Sequence, residues 1–261
     1  MVGEGATLLD KFQLLRDLGF DGVELDSPND LKQDDVLAAS QKTDLVINGL
    51  VHSKHWGAPF NSDDPKQRAE SVAALEHALR EAKVYGAQSV LVVPAVVDGN
   101  LSYDSAWKRS ITELSKCVPL ARELSVEIAI ENVWNNFLLS PIEAAQYVDA
   151  FQDPIVRFHF DIGNVVAYGW PEQWVRILGP RIAKLHVKDY SRKKRDEQGR
   201  WAGFDVELGE GDANYPAVMR ALDESGYSTD PRRRWATAEV GGGDRKRLAQ
   251  LAEQMNRLLN S

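Results

Sequence analysis

The chain of 261 residues is long enough for one large domain or two small ones. Its composition, 43% hydrophobic and 27% charged, is that of an ordinary globular protein. A net charge of -8 makes a nucleic-acid backbone an unfavourable partner, so no nucleic acid is expected. No apolar run approaches the roughly 18 residues that a membrane-spanning helix needs, so no membrane contact is expected either.

The N-terminal residues and the cysteine count indicate the compartment. Residues 1–5 lack the basic and apolar segments of a signal peptide. The single cysteine, Cys117, excludes an intrachain disulfide and a cysteine-cluster metal site. Both observations predict a cytoplasmic, reducing setting.

The first half of the chain alternates between predicted helices and strands. A helix begins after an N-cap at Thr7 and stops at Gly19, which is a natural C-terminal stop. The next elements are a strand at 22–25, a weak helix at about 31–39, a strand at 46–51, a helix from 64–65 to 86, a strand at 89–97, and one helix at about 104–124 that Pro119 kinks.

The second half continues the alternation. Ser140 and Glu143 form a predicted capping box around a proline at the first helical position. The elements in order are a strand at 126–130, a helix from 141 to about 152, a strand at 156–160, a short helix after 169–171, a strand at 182–185, a charged solvated loop at 191–197, a helix from 215 to 226, a strand at 235–238, and a helix at about 244–259.

This alternation runs from residue 1 to residue 261 without a break in composition, so one domain is expected. Short apolar strands between amphipathic helices predict a parallel sheet covered on both faces. Seven strands and about eight helices predict a (β/α)8 TIM barrel that truncates or lacks its first strand. Residues 1–3 are either the tail of that strand, or the strand lies outside this chain.

Four polar residues each close a predicted apolar strand: Glu131, Asp161, His186 and Glu239. The carboxyl ends of the strands of a TIM barrel meet at one mouth, where active sites lie. Three carboxylates converging there would repel one another without a cation. Together with the imidazole they predict one divalent metal ion. Mn²⁺ is favoured, while Zn²⁺, Mg²⁺ and Co²⁺ also suit this ligand set.

The sequence around these residues resembles the sugar-phosphate isomerase/epimerase superfamily, the xylose isomerase-like TIM barrels. The segments that carry the resemblance occur in the family's order and span most of the chain: 130–134 (IENVW), 160–164 (FDIGN), 185–190 (LHVKDY), 208–212 (LGEGD) and 238–240 (AEV).

The resemblance implies an activity and roles for the four residues. All four would be metal ligands, and Glu131 and Glu239 would also be an acid/base pair. The implied activity is a metal-dependent sugar or sugar-phosphate isomerase or epimerase that works through an enediolate. A base on one face of the substrate and an acid on the other would move the proton alpha to a carbonyl. The expected partner is a small-molecule sugar or sugar phosphate, and a homo-oligomer stays open.

The chain departs from the pattern of the 3-epimerases in this family. Their second glutamate, six residues after the first ligand, is replaced here by Phe137. Their histidine three residues after the aspartate is replaced by Asn164. Their arginine six residues past the ligand histidine is matched by Arg192. The two replacements argue against a free ketohexose as the substrate.

Other residues are candidates for substrate binding. His52 and Trp56 lie just after a predicted strand, in a segment that also holds His55. Lys188 follows His186 by two residues and so points to the same face of the strand. It would bind a substrate oxygen or phosphate, or else pair with Asp189 or Glu210. Asn164 and Arg192 complete the predicted substrate-binding set.

Three alternatives to the isomerase or epimerase remain. An inosose-type dehydratase would use the same enolate chemistry followed by loss of water. An endonuclease IV-like phosphodiesterase would need several metals and many histidines, but the chain has 5 histidines and a negative charge. A non-catalytic sugar-binding relative would not need an intact set of four ligands.

Overall fold

A computed structural model describes residues 2–227 and 234–261. Its strands are β1 (Gly22–Ser27), β2 (Val46–His52), β3 (Ser89–Val92), β4 (Glu127–Glu131), β5 (Val156–Asp161), β6 (Ile182–Val187) and β7 (Ala236–Ala238). All neighbouring strands pair in parallel, in the order β1-β2-β3-β4-β5-β6-β7. The described residues therefore form a nearly closed TIM barrel with seven of its eight strands, as the sequence predicted.

Helices cover the outside of this barrel. They are α1 (Leu8–Asp17), α2 (Gln33–Thr43), α3 (Pro65–Tyr85), α4 (Tyr103–Ser115), α5 (Val118–Leu124), α6 (Pro141–Asp149), α7 (Ile162–Val166), α8 (Pro171–Leu178), α9 (Arg192–Gln198), α10 (Tyr215–Glu224) and α11 (Arg245–Leu259). Two 3₁₀ helices span Gly179–Arg181 and Arg200–Phe204. Within the described ranges, no helix combines the length and the apolar character needed to cross a membrane.

The gap in the barrel lies between β7 and β1. Val2 forms an isolated parallel bridge with Gly243, just past β7, and the Gly3 amide donates to the Gly243 carbonyl at 2.8 Å. Residues 2 and 3 therefore pair with the segment that follows β7, at the edge of this gap. An apolar cavity beside the gap is lined by side chains of β1, β7, α1 and α11, among them Val23, Phe12 and Leu251.

Caps and prolines place most helix ends where the sequence predicted them. Thr7 and Asp10 form a capping box at α1, and Asp64 caps α3 ahead of Pro65. Ser140 accepts from the Glu143 amide at the start of α6. These contacts satisfy backbone N–H groups that have no partner inside the helix.

Three predicted elements were wrong in detail. The helix at 104–124 is two helices, α4 and α5, because Pro119 lies in the first turn of α5, where a missing N–H costs nothing. The strand at 89–97 stops at Val92, two residues before Pro94. The charged segment 191–197 is not a loop: Ser191 caps it and α9 follows, with no buried residue.

Candidate metal and sugar site

The four predicted ligands converge at the carboxyl ends of β4 to β7. Glu131 and Asp161 end β4 and β5, His186 lies next to the end of β6, and Glu239 follows β7. Nδ1 of His186 is 2.9 Å from Oε1 of Glu131, 3.3 Å from Oε2 of Glu239 and 4.0 Å from Oδ2 of Asp161. One ligand atom from each residue lies within 4.8 Å of the others. The strands thus bring together a group of the size that one cation needs.

Burial differs across this group. Glu131, Asp161 and His186 are almost fully buried, whereas 47% of the Glu239 side chain is exposed. Three of the residues therefore form the floor of the barrel mouth, and Glu239 stands at its open side. A substrate would reach Glu239 first.

The environment shifts the pKa values of the acids in opposite directions. Burial raises the pKa of Asp161 to about 8, and burial also raises the pKa of Glu131. Burial would raise the pKa of Glu239 as well, but the hydrogen bond and charge of His186 and the charge of Lys188 outweigh it and hold the pKa far below its ordinary value. Crowded buried carboxylates are therefore hard to ionise together without a positive charge between them.

Lys188 already supplies positive charge to the group. Its ammonium nitrogen is 2.9 Å from Oδ2 of Asp161 and 2.6 Å from Oε2 of Glu239. The alternative that the sequence suggested, a pairing of Lys188 with Asp189 or Glu210, does not form. Oδ2 of Asp161 is buried and makes no well-aligned hydrogen bond, although the Lys188 ammonium lies close to it. The donor set and this oxygen both fit a hard divalent cation.

Asp161 and Asn132 hold the backbone of the site. Oδ1 of Asp161 accepts from the Asn164 amide at 2.7 Å and so caps α7. The Asn132 side chain donates to the Asp161 carbonyl and accepts from its amide, both at 2.9 Å. These bonds lock the ends of β4 and β5 together, so the two carboxylates have little freedom to separate.

The predicted substrate-binding residues fall into two groups. Lys188 and Trp56 present usable surface: Lys188 contacts the four-residue group, and Trp56 is 56% exposed and packs edge-on against His55. His52 is fully buried, and its Nε2 lies 3.0 Å from the carbonyl oxygen of Ser71. It therefore packs below the surface of the rim and stabilises it.

The other two candidates are engaged with the backbone. The Asn164 side chain donates to the Asn132 carbonyl at 2.9 Å. The Arg192 guanidinium donates to the carbonyls of Val166 and Gly169 at 3.1 and 2.8 Å and lies 5.3 Å from the Trp170 ring. Both sets of contacts favour a role in holding α7 and the loop that follows it.

Phe137, at the position of the missing second glutamate, lies in the core. It is buried and packs against Tyr103, Trp107 and Tyr147. Phe137 therefore contributes to the packing of α4 and α6 against the core.

Asp189 orders the loop that carries the 208–212 segment. Its carboxylate accepts from the amides of Gly209, Gly211 and Ala213 at 2.9, 3.0 and 3.2 Å. A Cβ on Gly211 would collide with that carboxylate. Asp189 thus holds this loop in place. The exposed Glu210 lies in the same loop and takes no part in these hydrogen bonds.

Aromatic side chains build one wall beside the mouth. The Trp134 ring centre lies 4.7 Å from that of Phe204 and 4.9 Å from that of Trp201, and Trp201 is 70% exposed. Lys188 connects the wall to the acidic group, since its ammonium is 5.5 Å from the centre of the Phe204 ring. The wall thus lies next to the acidic group, and the Arg200 guanidinium packs over the Trp134 ring.

A polar layer beneath the mouth was missed by the sequence analysis. Oε2 of Glu24, on β1, lies 2.9 Å from Nε2 of His186, and Oε1 lies 3.7 Å from Nζ of Lys184. The Lys184 ammonium also donates to the Asn48 carbonyl. His159 packs against the His186 ring at 4.1 Å between centroids. Charged residues in the middle of otherwise apolar strands were the signal that could have revealed this layer.

Gly49 makes room for this layer, and its replacement provides a test. A Cβ at Gly49 would collide with Nζ of Lys184 and lie 2.9 Å from Oε1 of Glu24. We expect Gly49→Ala to lower the free energy of unfolding by about 1–3 kcal/mol, as overpacking does. Chemical denaturation measures this. Gly99→Ala, at a site with nothing within 4 Å, should change it by less than about 0.5 kcal/mol; equal effects would contradict the packing argument.

The fold and this strand-end group define a xylose isomerase-like barrel. The chain belongs to the xylose isomerase-like TIM barrel family, whose sequence model matches residues 12–260. It is 26% identical over 235 residues to the L-ribulose-5-phosphate 3-epimerase UlaE of Escherichia coli O1:K1 / APEC, covering 85% of this chain and 80% of that protein.

Solved structures share the same fold at lower identity. A D-tagatose 3-epimerase-like protein superposes with a TM-score of 0.76 at 18% identity and covers 98% of this chain and 95% of its own. The IOLI protein, solved with a binding zinc atom, superposes with a TM-score of 0.77 at 18% identity, with coverage of 98% and 94%. The family membership and fold predicted from the sequence are confirmed, and the named relatives include sugar epimerases.

Proposed function

We propose that this protein is a divalent-metal-dependent isomerase or epimerase of a sugar or sugar phosphate. The observation that carries the proposal is the convergence of Glu131, Asp161, His186 and Glu239 at one end of the barrel. The relationship to UlaE, a sugar-phosphate epimerase, supports it. Mn²⁺ is the first candidate ion, and Zn²⁺, Mg²⁺ and Co²⁺ suit the same donors.

The four converging residues would hold the ion. When bound, a divalent cation would supply Lewis-acid stabilisation of the negative charge that an enediolate carries. Glu239 is the better placed base: it is half exposed at the mouth, and its lowered pKa keeps it ionised at neutral pH. One of its carboxylate oxygens would accept the proton alpha to the substrate carbonyl.

Glu131 is the matching group on the floor of the site. It comes from β4, three strands away from β7, so the two glutamates would approach the reacting carbon from different sides. An epimerisation needs a proton removed on one face and another delivered to the opposite face. Glu131 would deliver that second proton.

Lys188 and the aromatic wall would orient the sugar. The ammonium already contacts Asp161 and Glu239, so a substrate oxygen that enters beside them would receive a hydrogen bond from a fixed donor. The exposed ring of Trp201, beside Trp134 and Phe204, would offer an apolar surface for the C–H face of a sugar. Trp56 would close the opposite part of the rim.

The remaining alternatives differ in what they require. A dehydratase would share the same first proton removal, so it is separated by its product alone. An endonuclease IV-like enzyme needs several metals. Within residues 2–227 and 234–261, the second acid–histidine group, Glu24 with His159 and His186, lies beneath the mouth, where the Lys184 ammonium supplies the charge instead.

A panel of ketoses, ketose phosphates and inososes in deuterated water, with Mn²⁺ added, tests the proposal. We expect at least one compound to exchange its alpha proton for deuterium, and NMR of the products then separates epimer, isomer and dehydration product. Metal analysis of the purified protein gives an independent measurement. A protein that retains no divalent ion under metal-replete conditions and exchanges no compound would rule the proposal out.

A further inference from the structure

The imidazole of His186 is held from both sides. Nδ1 faces the carboxylates of the mouth, 2.9 Å from Glu131, while Nε2 points down into the barrel, 2.9 Å from Oε2 of Glu24. Both carboxylate side chains and the ring are 5–6% exposed. A neutral imidazole has one N–H and one lone pair, so its two neighbours decide which nitrogen carries the hydrogen.

Glu24 is built to remain an anion in this interior position. Its other oxygen lies 3.7 Å from the Lys184 ammonium, which is 1% exposed. The Lys184 ammonium is in turn held by the carbonyl of Asn48 and lies 3.4 Å from its side-chain oxygen. Gly49 leaves the space that both charges occupy. Three residues from β2 and β6 thus maintain the carboxylate of Glu24 under one imidazole.

We propose that Glu24 is a positioning residue that accepts the Nε2–H of His186 and thereby leaves the Nδ1 lone pair free for the cation. The inference rests on the proposed function, because it concerns the same metal centre. An ionised carboxylate can accept a hydrogen bond and cannot donate one, so it admits a single tautomer of the neutral ring. Outer carboxylates of this kind fix the ring orientation and raise the basicity of the ligating nitrogen.

The same contacts argue against a second cation in the lower layer. Glu24, His159 and His186 could bring ligand atoms within 4.8 Å of one another. The Lys184 ammonium, however, already lies against Glu24, and His186 would have to give up its N–H to serve two ions. The residues of this layer therefore support the site above them, through the one hydrogen bond between Glu24 and His186.

The test measures metal affinity, which a residue that only supported the fold would not change. Glu24→Gln keeps the size of the side chain and removes the charge that imposes the tautomer. We expect it to weaken Mn²⁺ binding about 10–100-fold, measured by titration calorimetry and by electron paramagnetic resonance of free Mn²⁺. Glu127→Gln is the matched control: Glu127 is also a buried glutamate on a barrel strand, paired with Arg157 at 3.1 Å and outside the site. It should change affinity less than about twofold.

A second measurement needs no variant. In the wild-type protein loaded with Zn²⁺ and labelled with ¹⁵N-histidine, long-range ¹H–¹⁵N spectra should show Nε2 of His186 protonated and Nδ1 bound to the ion. Protonated Nδ1 would overturn the inference, as would unchanged affinity of a folded Glu24→Gln. If the wild-type protein binds no ion at all, the proposed function fails instead, so the two failures are distinguishable.

Discussion

Glu239→Gln is expected to slow exchange of the substrate alpha proton with solvent by about 10²–10⁴-fold, the range that removal of a general base produces. Glutamine keeps the shape of the side chain and its position after β7, but it cannot accept the proton. The loss should appear in kcat when it is measured at saturating Mn²⁺, which separates the lost proton transfer from any weaker hold on the ion. Exchange into deuterated water, followed by NMR on any compound found active in the panel, measures it.

The fold should tolerate this change. The Glu239 side chain is 47% exposed, and the strand that precedes it is short. The thermal midpoint of the metal-loaded variant should therefore stay within a few degrees of the wild type. Glu197→Gln, an exposed glutamate on α9, is the control for losing a carboxylate and should leave exchange unchanged. Undiminished exchange in Glu239→Gln would remove Glu239 as the base and leave Glu131 as the candidate.

The metal-free protein is expected to lose stability as the pH rises from 7 to 8, whereas the Mn²⁺-loaded protein should not. Burial raises the pKa of Asp161 to about 8. For His186, burial alone would lower the pKa, but the hydrogen bonds that its ring donates to Glu131, Glu239 and Glu24 raise it well above its ordinary value. At pH 7 the folded chain therefore holds protons on both groups that the unfolded chain has largely released. Because the native state binds more protons, its stability falls as they dissociate, by up to about 1.4 kcal/mol per pH unit for each extra proton.

Groups whose contribution to stability has the opposite pH dependence limit the pH range of this experiment. Burial lowers the pKa of His52 and lowers that of His55 to about 3, so both contribute stability that increases with pH, but only up to about pH 6.5. Burial lowers the pKa of Lys184 to about 8, so this residue also adds stability as the pH rises, mainly above that value. Between pH 7 and pH 8 the acids and imidazole of the mouth dominate.

Urea unfolding at pH 7 and pH 8, with chelator and with saturating Mn²⁺, measures the difference. A bound cation takes the place of the protons and removes the dependence, so the stabilisation by Mn²⁺ should grow with pH. Asp161→Asn is the control, because it deletes one of the two titrating groups and should reduce the slope of the chelated protein. Identical slopes with and without Mn²⁺ would mean that no ion displaces protons from this group.

The convergence of the four polar residues at the mouth could be predicted because it depends on the topology of the strands. Glu131, Asp161, His186 and Glu239 each end or follow an apolar strand, and parallel strands joined by helices place all such ends on one side. Lys188 followed from the same reasoning, since it lies two residues beyond His186. The partners of Lys188 could not be predicted. The alternation of side chains along a strand shows on which face a residue lies, but not which residue lies across the barrel.

The lower layer could not be predicted in the same way. Glu24, His159 and Lys184 lie inside strands, where local pattern treats a single charged residue as an interruption of an apolar run. Their pairing depends on contacts between β1 and β6, which are 162 residues apart for Glu24 and His186. The helix α9 was missed for a local reason: its seven residues have no buried face, so no apolar periodicity marks it.

The unfilled place between β7 and β1 has a mechanical consequence. Among the described residues β7 has a ladder on one side only, with β6, and its three residues are only partly buried. β4, β5 and β6 are each paired on both sides and hold the three buried ligands rigidly. We therefore expect the amides of β7 to exchange hydrogen fastest in the sheet. Glu239 would then move with this flexible edge of the sheet and adjust to sugars of different shape, while Glu131, Asp161 and His186 stay fixed.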